Sequence, residues 1–309
     1  MLAGATMTIT FRELDRTADR RGVEAIDTTF ETETVFDLVT TPRRIELVER
    51  PLEKPLAKRY SIAEVFAGWA RWDTGWVADD GGIRGFAAVE HEPWHARLVL
   101  WFLYIEPAWR RRGIGSRLLA AVRESAVGPR LLTDADAGSP GEAFCRRHGF
   151  RHTESRRHHL LTYCDIHEAW LGELIDAAHP GYRLAHWSGD LSDVSQVETL
   201  LRTPSRPGNA LLTVAEADGD LAAYAMAVVC APPQPRARQY GPAVSPEHRG
   251  RRLDHWVNAA LIQRLRQTHP HVNEIQTHTA ENDPGLLAAR AELGFRPVRR
   301  THLYELSLS

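Results

Sequence analysis

The stretch Leu103–Val122, LYIEPAWRRRGIGSRLLAAV, decides how the rest of the chain is read. An apolar run, LVLWFLYI from Leu98, meets Pro107, then Arg110, Arg111 and Arg112, then Gly113-Ile114-Gly115-Ser116. Leu118, Leu119 and Val122 follow on one face of a helix expected from about Ile114 to Ser125. Proline ends strand pairing because it has no N–H to donate. The glycines allow tight backbone geometry, so that successive N–H groups can converge on an anion. The start of the helix adds unpaired N–H groups and the positive end of its dipole. The loop is therefore a candidate pyrophosphate cradle, with a basic strand-to-helix turn as the plainer alternative. Neither GxxxxGK[ST] nor GxGxxG is present in it.

The segment has an echo. WVADDGGIRGFAAVE reads as two apolar runs around a turn, and LLTVAEADGDLAAYAMAVV repeats that form downstream. LVLWFLYIEPAWRRRGIGSRLL follows the first hairpin, and QYGPAVSPEHRGRRLDHWVNAALI follows the second. FCRRHGFRH is then answered by RAELGFRPV, with Gly149 and Gly294 placed to end helices. Three matched features in one order indicate a tandem duplication of an α/β unit with a mixed sheet. The expected division is a first domain over residues 1–164, a connector over 165–180 and a second domain over 181–309. Each unit is expected to run strand, one or two helices, hairpin, strand–loop–helix, strand, helix and closing strands.

The combination of a V/I-x-P strand end, RxxGxGS, a helix and a later GF resembles the acyl-CoA site of the GNAT superfamily of N-acyltransferases. The likeness covers both halves, so the chain is similar to tandem GNAT proteins. Its first half is also similar to streptothricin-acetyltransferase-like members through AIDTTFETETVFDLV, ERPLEKPLAKRY and GFAAVEHEPWHARLVLW. The resemblance implies two GNAT-like domains and transfer of an acyl group, acetyl first among the candidates, from coenzyme A to an amine of a small molecule or natural product. It implies that the strand ending at Tyr104 and Ile105 splays from its neighbour to pair with pantetheine. The same resemblance gives Arg110, Arg111, Arg112, Gly113, Ile114, Gly115 and Ser116 the pyrophosphate. In the second half the matching small positions are Arg252 and Asp254. An aspartate there opposes a phosphate and suits a helix N-terminus, so that loop reads as degenerate.

The acid–base residues depart from the family pattern. The usual carboxylate position on the strand falls near Phe102, and the usual tyrosine of the last helix falls on Cys145, or on Arg290 in the second half. Substitutes are Glu90 at the hairpin end, Tyr104 at the strand end and Cys145 itself. A solvated hairpin carboxylate, a packing tyrosine and a small core thiol are the plainer readings of these three. The missing residues also admit a GNAT fold turned to other acyl-CoA chemistry, or a non-catalytic acyl-CoA-binding or scaffold protein. RRHH at Arg156–His159 is read as a solvated strand end, and the tryptophans from Trp69 to Trp109 mainly as core.

Composition sets the outer bounds. The 309 residues carry a net charge of −2, so no basic field draws nucleic acid or an anionic membrane. Cys145, Cys164 and Cys230 form no CxxC pair, which argues against a zinc site and fits a reducing compartment. No run of eighteen apolar residues or signal-like leader occurs, so a cytoplasmic enzyme is expected, a monomer or homodimer without a metal.

Overall fold

The computed structural model describes residues 9–41, 44–59, 62–67, 70–191, 197–202, 204–230 and 235–308. Trp69 and the Trp94 side chain lie outside this description. The chain forms two compact units. Unit 1 holds the chain through Asp134, then Ala143–His152 and the residues from Tyr304 onward. Unit 2 holds Ala135–Glu142 and Thr153–Leu303. Strand β14 (Arg296–Ser307) thus begins in unit 2 and ends in unit 1.

Unit 1 runs β1 (Thr10–Glu13), α1 (Arg20–Ala25), β2 (Thr29–Thr41), β3 (Arg44–Arg59), β4 (Thr74–Asp79), β5 (Ile83–Glu92), β6 (Arg97–Ile105), α2 (Ile114–Glu124), β7 (Arg130–Asp136, through Asp134) and α3 (Pro140–Arg147, from Ala143). Its sheet has the order β1-β4-β5-β6-β7, closed by the end of β14. β4, β5 and β6 are antiparallel neighbours, whereas β6 and β7 are parallel. α2 buries Ile114, Leu118, Leu119 and Val122, the face expected from the sequence. A second cluster, with Val23, Ile26, Trp72, Val77, Phe86 and Ala88 at its centre, packs under α1. The segment after α1 is not a second helix. β2 and β3 pair as a separate two-stranded ribbon. Its run of Thr, Val and Phe favours extended backbone, because branched and aromatic side chains fit a pleated surface.

Unit 2 runs β8 (Arg151–Thr162, of which Thr153 onward belongs here), α4 (Glu168–Asp176), β9 (Arg183–Gly189), α5 (Val197–Arg202), β10 (Ala210–Ala217), β11 (Asp220–Val229), β12 (Arg236–Val244), α6 (Leu253–Thr268), β13 (Glu274–Ala280), α7 (Pro284–Glu292) and the start of β14. The strand order is β14-β8-β13-β12-β11-β10-β9. α6 is buried along almost its whole length, from Leu253 to Leu265. α4, which falls in the expected connector, packs into this core through Leu171 and Leu174 and accepts the Trp256 indole N–H at the Ile175 carbonyl, 3.0 Å.

RRHH is not a solvated strand end. His159 is 4% exposed and His158 bonds Thr301 through Nε2 at 2.9 Å, because β14 and β13 flank β8 on both sides. No helix among the described residues is long and apolar enough to cross a membrane. No group of three or more His, Cys, Asp or Glu side chains among them is arranged to hold a metal ion.

Candidate functional site

β6 and β7 are in register only from Arg97 to Val99, against Arg130 to Leu132. Beyond that point they part. The Thr133 hydroxyl donates to the Leu100 carbonyl at 3.1 Å, marking the vertex. The register of β6 against β5 slips there too, with Ala88 opposite Phe102 and Val89 opposite Leu100. Trp101 is the extra residue of this bulge, and bulges redirect a side chain. Its indole N–H donates to a Glu90 carboxylate oxygen at 2.8 Å. Glu90 is half-buried, and burial raises its pKa despite that hydrogen bond. Within unit 1 it is a carboxylate close to the level of the vertex, since it lies opposite Val99.

The loop after β6 has the backbone expected of a cradle. Gly113 is the N-cap of α2 with φ +79°, and no side chain caps the helix. A Cβ built at Gly113 would meet nothing within 4 Å, so the space before the helix is open. Gly115, two residues on, is packed: a Cβ there would lie 3.1 Å from the Phe144 ring. Arg111 adopts φ +64° ahead of Gly113. The first N–H groups of α2, from Ile114 to Ser116, have no acceptor within the helix.

The three arginines do different things. Arg110 turns back to the strand end, donating through Nε to the Ile105 carbonyl at 3.0 Å and through Nη to the Tyr104 hydroxyl at 3.3 Å. Tyr104 in turn donates to the Asp27 carbonyl at 3.1 Å. Arg112 lies over the Trp109 ring, 4.7 Å from its centroid, and Arg84 lies over the same ring at 5.1 Å. Arg111 is exposed beside the open space.

Tyr104 lies opposite Phe86 and Glu90 opposite Val99, so about four residues, or about 13 Å, separate the two along the strands. Cys145 is 5% exposed within α3. The structure therefore does not gather Glu90, Tyr104 and Cys145 around one point. A pair not foreseen from the sequence is Ser116 and His148, whose Oγ and Nε2 are 3.2 Å apart at the start of α2. The His148 pKa is lowered by burial and by Arg147 and Arg123. Its only signal in the sequence is its place directly before Gly149.

Unit 2 repeats the loop geometry with different chemistry. Gly250 and Arg252 take the positive φ values that Arg111 and Gly113 take in unit 1, +76° and +56°. Asp254 stands in the first turn of α6, as expected, but bonds its neighbour: His255 Nδ1 is 3.0 Å from Asp254 and Nε2 is 3.1 Å from Glu292. Arg252 also pairs with Glu292 at 3.0 Å.

Residues 71–152 match the family model described as acetyltransferase (GNAT) domain. The chain is 32% identical over 147 residues to streptothricin acetyltransferase of Streptomyces lavendulae, covering 44% of this chain and 78% of that protein. Among solved structures it is similar to a tandem GNAT protein from the clavulanic acid biosynthesis pathway, with a TM-score of 0.65, 19% identity and coverage of 98% and 99% of the two chains. A GCN5-related N-acetyltransferase from Sphaerobacter thermophilus gives a TM-score of 0.60 at 17% identity, covering 80% of this chain and 86% of that one. At those identities the structures speak for the fold, which is tandem GNAT, and the Streptomyces relative speaks for descent. With its parted strands, uncapped helix and glycine loop already matching that fold, the chain belongs to the GNAT acetyltransferases.

Proposed function

We propose that unit 1 binds acetyl-CoA or another acyl-CoA and transfers the acyl group to an amine of a small molecule. The carrying observation is the conjunction of a strand freed from its neighbour after Val99 with an uncapped helix start at Gly113, just beyond the end of that strand. The free edge of β6 suits the amides of pantetheine, and the N–H groups from Arg111 to Ser116 suit the pyrophosphate. Gly113 fits that use, because any side chain would point into the space a phosphate would fill. When bound, acyl-CoA supplies an activated thioester carbonyl.

With the pyrophosphate at the loop, the vertex beside Leu100 is the far end of the free edge. Glu90 is a carboxylate close to that level and is assigned as the base that accepts a proton from the incoming amine, directly or through a water. Its raised pKa brings it nearer the range where proton transfer is efficient. Tyr104, about 13 Å along the strands, is assigned to holding Arg110 against the strand end. Cys145, being buried, is assigned to packing. Holding amine and thioester together supplies most of the acceleration, with proton transfer a smaller share. A small-molecule acceptor follows from the likeness to streptothricin acetyltransferase. A binding first unit and a degenerate second unit belong to the same proposal, with residues 153–180 grouped with the second unit rather than with residues 1–164 or a separate connector.

Incubation with acetyl-CoA and a panel of amines, streptothricin-type acceptors included, tests this through free thiol released. Amine-dependent release that disappears in Gly113→Asp is the expected result. Undiminished coenzyme A affinity in that variant would overturn the assignment of the loop.

A further inference from the structure

The duplication leaves a second pair of parted strands, and its interior differs from the first at three positions. In unit 2, β12 and β13 are in register only from Arg236 to Arg238, against Glu274 to Gln276. The Thr277 hydroxyl then donates to the Gln239 carbonyl at 3.1 Å, just as Thr133 does to Leu100. The strands therefore separate at the corresponding place. Where unit 1 has Leu100, Leu119 and Cys145, unit 2 has Gln239, Asn258 and Arg290, and all three are almost wholly buried.

Arg290 reaches from α7 into the gap between the strands. Its Nε donates to Thr279 Oγ1 on β13 at 2.7 Å, and an Nη donates to the Gly241 carbonyl on β12 at 2.6 Å. The second Nη has no hydrogen-bond partner among the described residues, and no carboxylate pairs with the group there. Burial lowers its pKa to about 10. A buried guanidinium that Asp283 favours only from beyond ion-pair distance, with the Phe295 ring 5.4 Å away, is unfavourable in a merely structural role, where an apolar side chain such as that of unit 1 would serve. What it achieves is to bridge the two strands and take the carbonyl that a ligand's amide would use. At the mouth of the same gap, Asp254 and Glu292 place carboxylates where unit 1 leaves its helix start open.

We infer that Arg290 is a built-in plug that fills the cofactor cleft of unit 2, so that the chain binds one acyl-CoA and not two. The inference rests on the proposal that the corresponding elements of unit 1 hold acyl-CoA. Two features keep the cleft closed, so removing the Asp254 charge alone does not reopen it.

Calorimetry with coenzyme A tests this. The expected result is one equivalent bound by the unaltered chain, none by Gly113→Asp, and none by Gly113→Asp with Asp254→Gly. Adding Arg290→Ala to that pair is expected to restore one equivalent, at any measurable affinity. Two equivalents bound by the unaltered chain would show the unit 2 cleft to be open and would overturn the plug. So would failure of the triple variant to bind although its circular dichroism matches that of the unaltered chain. If the triple variant does not fold, the stoichiometry of the unaltered chain decides alone. If the unaltered chain binds none, the unit 1 proposal fails, and gain of a site in Asp254→Gly, Arg290→Ala then decides the plug by itself.

Discussion

At the scale of the residue, Glu90 shows how a neighbour sets a proton's position. Burial raises its pKa while the Trp101 N–H opposes the rise by stabilising the charged form. As the proposed base, Glu90 must be ionised, so kcat/KM should fall as pH drops through that raised value. Glu90→Gln should cost about 100-fold or more and abolish this acid limb. Trp101→Phe should move the limb to higher pH, because the charged form loses its donor. The sequence offers Glu90 as a hairpin-end substitute for the usual carboxylate position, which falls on Phe102, but only the bulge brings Trp101 to face it. His255 gives a second prediction with the opposite sign. Its hydrogen bond to Asp254 raises its pKa above the ordinary 6.5, against burial. Stability from the charged imidazole is therefore complete below about 6.5 and is lost as pH rises through the higher folded value. Thermal midpoints should decline across that window in the unaltered chain and stay flat in His255→Gln.

At the scale of the element, β8 could be recognised as a strand but not placed. Alternation says which side chains share a face, yet only the pairing with β13 and β14 decides that both edges of the strand are covered. Covered on both sides, His158 and His159 have pKa values lowered to about 4 by burial, with Arg299 and Arg290 respectively as the next cause. The unfolded chain then binds more protons between about 4 and 6.5, so stability present above that window is lost as pH falls through it. For the fully buried His159 the loss is on the order of 2 kcal/mol, and His159→Leu should flatten the acid limb of urea midpoints. The strand–loop–helix was legible for the opposite reason. Its signals, Pro107, Gly113 and the apolar stripe of α2, act within a few residues of one another. Gly85 is a quieter case: a Cβ there would meet the Tyr104 carbonyl at 2.8 Å. Gly85→Ala should push the end of β6 away from β5, destabilise by about 1–3 kcal/mol and weaken coenzyme A binding.

At the scale of the whole molecule, the repeat in the sequence announced two units, but the interleaving of the chain between them left no local signal. Tyr304 is 1% exposed and accepts a hydrogen bond from Arg146 at 3.3 Å, and the Leu308 N–H donates to the Pro129 carbonyl at 2.8 Å. These contacts lie within unit 1 although more than half the chain separates their partners. Arg290 was equally silent, since only the parted strands around it give its position meaning. Truncation after Leu303 should therefore lower the melting temperature and coenzyme A affinity of unit 1, while Val298→Ser, at a residue 58% exposed, should leave both unchanged.

The closing strand also sets a schedule for synthesis. Domains generally mature in the order in which they leave the ribosome, at about 5–20 residues per second. Here unit 1 has its cradle and most of its sheet by His152 but receives Tyr304 and Leu306 only after unit 2 has been made. About 150 residues intervene, so the nascent first unit waits roughly 8–30 seconds with one edge of its sheet open. Translation speed over the second half, and chaperones that shield an unpaired strand, thus become determinants of yield for a protein whose proposed chemistry lies wholly in its first half.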